Sequence, residues 1–160
     1  PDISYFDELF RISKNQIIWG ANYFTEYLPN SMGWLVWNKN NGTTKFSDCE
    51  LAFTSYDKAL RMFTYTWNGM LQENMKDKEI RIHPTQKPVA LYAGILKNYA
   101  KQGDKIIDTH FGSGSIACAV HNANIIDKMD LSLVACELDK DYFESSIQRV
   151  KAALQTQSLF

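Results

Sequence analysis

The residues with the most chemical content lie between Asp108 and Glu137. Asp108-Thr-His-Phe-Gly-Ser-Gly-Ser115 follows a short apolar run and precedes a run of small residues. Gly112 and Gly114 permit a tight turn and let a ligand reach the backbone where a side chain would block it. A helix beginning near Ser115 would aim its unpaired N–H groups at that ligand. Glu137 closes the next apolar run, 23 residues after Gly114, where a carboxylate can accept hydrogen bonds from ribose hydroxyls. Gly112 to Ala117 also satisfies the dinucleotide pattern G-x-G-x-x-A, so a nicotinamide or flavin oxidoreductase is one reading. A structural glycine turn with no nucleoside is another. Asp108 bears on the choice, because a carboxylate at the end of a strand repels a pyrophosphate and suits a cation. S-adenosylmethionine carries an ammonium and a sulfonium and no phosphate, so the electrostatics lean towards a methyl donor.

A second stretch, Arg81-Ile-His-Pro-Thr-Gln-Lys-Pro88, sets two prolines around a threonine and a lysine. The prolines stiffen the loop, so Thr85 and Lys87 would be held ready to bond the polar end of a ligand. The bland alternative is a turn at Pro84, a helix start at Pro88 and a solvated Lys87. No second His or Cys stands at ligand spacing from His83, which argues against a metal site.

These groups need elements to position them. Tyr5, Phe6, Leu9 and Phe10 have helical spacing. Residues 16–20, 33–39, 49–56 and 61–67 read as strands from their β-branched, aromatic and apolar content. Residues 68–79 are polar and read as an exposed loop, and Asn41-Gly42-Thr43 reads as a turn. Further on, Leu91, Tyr92, Ile95, Leu96 and Tyr99 form one apolar helical face after Pro88. Residues 104–108 read as a strand, 115–123 as a helix and 131–137 as a strand. Asp139 is placed to cap a last helix with Phe143, Ile147, Val150 and Leu154 as its core face. Strand, glycine turn, helix, strand, helix is the unit from which parallel sheets are built.

Composition narrows the class. The chain has 160 residues, 45% hydrophobic and 22% charged, with a net charge of −1, as expected of one soluble globular domain. The balance gives no overall basic footprint for nucleic acid, although a local patch can hide in a neutral total. Cys49, Cys118 and Cys136 are far apart and odd in number, which points away from a disulfide framework or a zinc site and towards a reducing cytoplasm. No apolar run is long enough to span a bilayer.

Taken together, "HPTQKP", a helix, "IIDTHFGSGS" and "VACELDKDYF" resemble the amino-group DNA methyltransferases of the N4-cytosine/N6-adenine type, in the permuted β order. The resemblance covers nearly the whole chain and implies an α/β, Rossmann-like S-adenosylmethionine-dependent methyltransferase fold lacking its N-terminal strands. It places Thr85 and Lys87 near the methionine carboxylate of the donor. Asp108, Phe111, Gly112, Ser113 and Gly114 would form the donor-binding turn, Glu137 would hold the ribose and Leu138 would pack under the adenine. The implied arrangement is one domain over 1–160, with 83–154 binding the donor and about 57–80 recognising double-stranded DNA. Basic residues from Lys39 to Arg81 alternate there with Trp34, Trp37, Phe46, Tyr65 and Trp67. They could line a base-stacking cleft or simply be a solvated surface over buried strand aromatics.

The sequence departs from the family pattern at one place. The catalytic tetrapeptide, an Asp, Asn or Ser followed by two prolines and an aromatic residue, does not occur in these 160 residues. An exocyclic base amine is a poor nucleophile that needs acceptors for its protons and a ring to stack the flipped base, and the tetrapeptide supplies both. The expectation is therefore methyl transfer to adenine, or as second choice cytosine, by the parent enzyme, with this chain inactive alone. Catalytic residues are not assigned, and Asn22 and Asp48 are the first substitutes to consider. A strand bearing the tetrapeptide would cover Ile17, Ile18 and Ile106–Ile107, and its lack predicts exposed apolar surface and a second chain or homodimer. The alternative is a non-catalytic S-adenosylmethionine- or DNA-binding remnant needing a partner chain.

Overall fold

The computed structural model describes residues 1–42, 44–68 and 70–157. The chain divides into two compact units, Pro1–Met75 and Lys76–Phe160. Thr43 lies outside the described residues, and with it the reading of 41–43 as a turn.

The first unit opens with α1 (Ile3–Ile12), capped by Asp2, whose carboxylate accepts from the Tyr5 N–H at 3.2 Å. Asp at this position satisfies one of the orphan N–H groups of the first turn. Phe6 is buried and stacks on Tyr27 at 5.3 Å. Then come β1 (Ile17–Trp19), two short 3₁₀ turns, β2 (Trp34–Asn38), β3 (Cys49–Thr54) and β4 (Arg61–Thr64). They form one sheet in the order β1-β3-β2-β4, with β1 and β2 antiparallel to β3 and β4 parallel to β2. Along β2 burial alternates, with Leu35 and Trp37 buried and Leu35 opposite the buried Ala52, the period expected of a strand, while Phe53 packs on Trp34 on the other face.

One sequence expectation is corrected here, and one open alternative is decided in favour of buried strand aromatics. Residues 68–79 are not all loop, because β5 (Trp67–Asn68) and β6 (Leu71–Gln72) pair antiparallel. Trp37 and Trp67 are core residues, and Lys39 lies over the Trp37 ring in an ion pair with Glu50. These side chains are not open for stacking on a base. Phe46 is exposed. Asn22 follows β1 and Asp48 precedes β3, at the same end of this sheet.

The second unit carries α2 (Val89–Tyr99), β7 (Lys105–Asp108), α3 (Ser115–Ile126), β8 (Ser132–Ala135) and α4 (Lys140–Gln157). β7 and β8 are parallel, with Lys105 opposite Ser132 and Asp108 opposite Ala135. Leu96, Phe111, Ile116, Ala119, Val120, Ala123 and Leu131 make the core. The return from α3 to β8 is closed by the Asn124 amide, which donates to the Leu131 carbonyl at 2.8 Å and accepts from its N–H at 2.7 Å. Asp139 caps α4 as expected, accepting from the Tyr142 N–H at 2.9 Å.

The buried face of α4 matches the expected one at Ile147 and Val150, which pack on the core, and departs from it at Phe143. Phe143 is 45% exposed, whereas Ser146 is fully buried and Val150 touches the glycine turn. Ser146 takes a buried place on this face, its hydroxyl donating to the Phe143 carbonyl at 2.8 Å. Among the described residues no helix is long and apolar enough to cross a membrane.

Candidate functional site

β7 ends at Asp108, and its ladder with β8 continues into the turn. The Cys136 N–H donates to the Asp108 carbonyl at 2.8 Å, and the Phe111 N–H donates to the Cys136 carbonyl at 2.9 Å. The glycine turn is thus an extension of the sheet. Gly112 and Gly114 both lie in the left-handed region, with φ of +52° and +72°, a conformation that costs a side-chain-bearing residue about 1–2 kcal/mol. Gly114 is also tightly enclosed: a Cβ there would meet Val150 Cγ2 at 2.8 Å. Phe111 and Ser113 are buried, with the Ser113 and Ser115 hydroxyls 3.0 Å apart.

Glu137 sits beside this turn, as its sequence spacing requires. Its carboxylate accepts from the Gly112 N–H at 2.8 Å and from the Asp139 N–H at 3.1 Å. The Asp139 N–H first, then those of Gly112 and Leu138 and the charge of His83, hold its pKa below the usual range against a desolvation penalty. Glu137 therefore stays ionised. Leu138, the next residue, is fully exposed.

Asp108 is shifted in the opposite direction. Burial raises its pKa, opposed by the His110 N–H and by the charges of His110 and Lys87, while Glu137 adds to the rise. The His110 N–H bond is 3.0 Å. The pair of carboxylates, with one lysine near Asp108, makes an acidic pocket edge that disfavours phosphate.

The loop of residues 80–88 packs against the same turn. His83 lies 3.8 Å from where a Gly112 Cβ would stand, and its ring is 4.3 Å from that of Tyr142. Its Nδ1 faces the Thr85 N–H and hydroxyl at 3.3 and 3.1 Å. Thr85 is exposed and Lys87 partly so. The structure thus gathers three separate stretches, 83–87, 108–114 and 137–138, at one end of the β7–β8 pair. No group of His, Cys, Asp and Glu among the described residues could hold a metal ion.

Four residues of this site had no role assigned from the sequence, although Gln86 and Tyr142 lie inside the stretches 83–88 and 134–143. Gln86 is buried and ties the loop to itself, accepting from the Ile82 N–H at 3.0 Å and donating to the Ile80 carbonyl at 3.1 Å. Tyr142 backs His83, and Glu79 and Arg149 bond each other at 2.6 Å. The available signal was the helical spacing of Tyr142, Ser146 and Arg149, which the apolar stripe beside it obscures.

Comparison with known proteins gives the family and the fold. A family model described as DNA methylase, of the N6/N4 methyltransferases, matches residues 8–148. The Type II methyltransferase M2.DpnII of Streptococcus pneumoniae is 24% identical over 93% of this chain and 54% of its own length. The ribosomal protein L11 methyltransferase of Staphylococcus carnosus is 27% identical over 91% of this chain and 48% of its own. The chain thus spans about half the length of these curated relatives. The crystal structure of an M1.HpyAVI–SAM complex superposes with a TM-score of 0.65 at 19% identity, covering 92% of this chain and 81% of that one, a likeness of fold. The glycine turn, its flanking acids and the match over residues 8–148 together place this chain in the N6/N4 DNA methylase family.

Proposed function

We propose that the second unit binds S-adenosylmethionine at the glycine turn, and that the parent enzyme methylates the amino group of adenine, or as second choice cytosine, in double-stranded DNA. The observation that carries the donor assignment is the pair Asp108 and Glu137 around Gly112. A pyrophosphate would face two carboxylates there, whereas a sulfonium and ammonium would relieve the burial of an ionised Asp108. Glu137 is ionised and beside the turn, suited to ribose hydroxyls. The exposed Leu138 offers an apolar surface for an adenine ring. Lys87 acts electrostatically on Asp108 and is suited to the donor's carboxylate, with Thr85 as a second contact. Phe111, Gly112, Ser113 and Gly114 shape the turn. When bound, the donor supplies an electrophilic methyl group, and the residues of this chain bind and orient it.

The DNA reading rests on family membership and on relatives that are Type II methyltransferases. Recognition by residues 57–80 fits a short segment whose exposed side chains mix Lys58, Arg61, Lys76 and Lys78 with Leu60, Met62 and Met70. The chain alone is proposed to be inactive, because the proline-rich tetrapeptide does not occur in these 160 residues. Titration calorimetry with S-adenosylmethionine, its demethylated product and NAD tests the donor assignment. Binding of the first two in preference to NAD is expected, and equal or tighter binding of NAD would overturn it.

A further inference from the structure

Arg149 reaches from α4 to two places at once. One guanidinium nitrogen donates to the Ser113 carbonyl at 2.7 Å and to the Ser115 hydroxyl at 3.2 Å. The other donates to Glu79 at 2.6 Å. The second oxygen of Glu79 accepts from the Val89 N–H at 2.8 Å, where the loop of residues 80–88 enters α2. Both side chains are largely withdrawn from water, with exposures of 14% for Arg149 and 23% for Glu79. Gln86 closes the same loop from within. The glycine turn and the proline-lysine loop are far apart in sequence, and this pair bonds to both.

An ion pair at this depth contributes little net stability against two well-packed apolar side chains. Its geometry is specific, however. A planar fork sets two separate nitrogens in fixed directions, one on a backbone carbonyl and one on a carboxylate, a geometry the single ammonium nitrogen of a lysine does not reproduce. Burial raises the pKa of Glu79, against the Val89 N–H, the Arg149 charge and Gln86. The carboxylate is therefore kept at an energetic cost that packing alone does not require.

We infer that Glu79 and Arg149 are positioning residues for the donor site, holding the residue 80–88 loop and the residue 111–115 turn in the register that lets both contact one ligand. The inference rests on the donor assignment proposed above. Neither side chain needs to touch the ligand. Fixing both walls beforehand removes an ordering cost that binding would otherwise meet.

The test uses the 160-residue chain with S-adenosylmethionine as the probe. Calorimetry reads affinity, chemical denaturation reads the folded fraction, and amide hydrogen exchange reads local order. Arg149→Lys keeps a charge opposite Glu79 but loses the fork. It is expected to remain folded, to bind the donor about tenfold or more weakly, the size of one lost charge-assisted bond, and to exchange faster at residues 82–87 and 112–115 together. The double variant Glu79→Gln with Arg149→Met leaves no buried charge unpaired and is expected to fold with the same loss of affinity. Wild-type affinity in either folded variant would overturn the inference, as would faster exchange in one segment alone. If the unaltered chain binds no S-adenosylmethionine, the donor assignment fails and the positioning role fails with it. The exchange data separate the two failures, because a tie between loop and turn would still show there as a structural contact only.

Discussion

Asp108 and Glu137 flank one turn, yet their surroundings push them in opposite directions. Burial raises Asp108. A carboxylate whose folded pKa lies above its unfolded value contributes stability below the unfolded pKa and loses it as pH rises through the folded one. At neutral pH ionised Asp108 therefore costs stability. Asp108→Asn keeps an acceptor for the His110 N–H and should raise the melting temperature at neutral pH, with the gain shrinking on acidification, while donor affinity falls. An unchanged or lower melting temperature at neutral pH would show that the acid is compensated. Glu137 is held low by the Asp139, Gly112 and Leu138 N–H groups. Its contribution is present above the unfolded pKa and is lost as pH falls through the folded value. Glu137→Ala should weaken S-adenosylmethionine binding by about 1.5–3 kcal/mol, the size of a hydrogen bond to a charged group. A calorimetric titration giving wild-type affinity would confine this carboxylate to bracing the turn.

At the scale of elements, the two glycines of the turn do different things. Gly114 has a φ of +72° and its Cβ would stand 2.8 Å from Val150 Cγ2 and 3.0 Å from Phe111 Cζ. Gly114→Ala should cost about 2–5 kcal/mol on denaturation, the sum of left-handed strain and an overpacked contact. Gly112 has a φ of +52° with nothing nearer than 3.8 Å. Gly112→Ala should cost only the strain, about 1–2 kcal/mol, but its methyl group would enter the space beside His83 and reduce donor affinity further than stability. Equal losses of stability in the two variants would mean that α4 yields at Val150. The helix itself illustrates how far pattern reading extends. Asp139 as cap was legible because capping needs only neighbours in sequence. Its inward face was legible at Ile147 and Val150 but not at Phe143 and Ser146, because a hydrophobicity pattern does not register a buried serine.

At the scale of the whole molecule, the family match over residues 8–148 takes in parts of both compact units. The tetrapeptide that would accept the amine protons is not among these 160 residues. Incubation of the purified chain with labelled S-adenosylmethionine and DNA of mixed sequence should give donor binding without methyl incorporation. Joining it to a polypeptide that bears the tetrapeptide should bring activity. Incorporation by the chain alone would point to a substitute group, with Asn22 and Asp48 the first to replace by alanine. Of the residues expected to be uncovered, Ile107 is 41% exposed on β7, opposite the 64% exposed Val134 of β8.

What the sequence by itself determined is local. The glycine turn, the acid at the end of the following strand, the helix after Pro88 and the parallel β7–β8 pair all follow from backbone chemistry and from periodicity over a few residues. The tertiary structure decided what depends on faces meeting. Trp37 and Trp67 became core, Phe143 turned outward, and Glu79 met Arg149 across 70 residues. Such a pair leaves no periodic trace, since each partner alone looks like an ordinary surface charge. The opposite shifts of Asp108 and Glu137 likewise arise from which carboxylate loses its water and which gains backbone N–H groups, and only packing determines that.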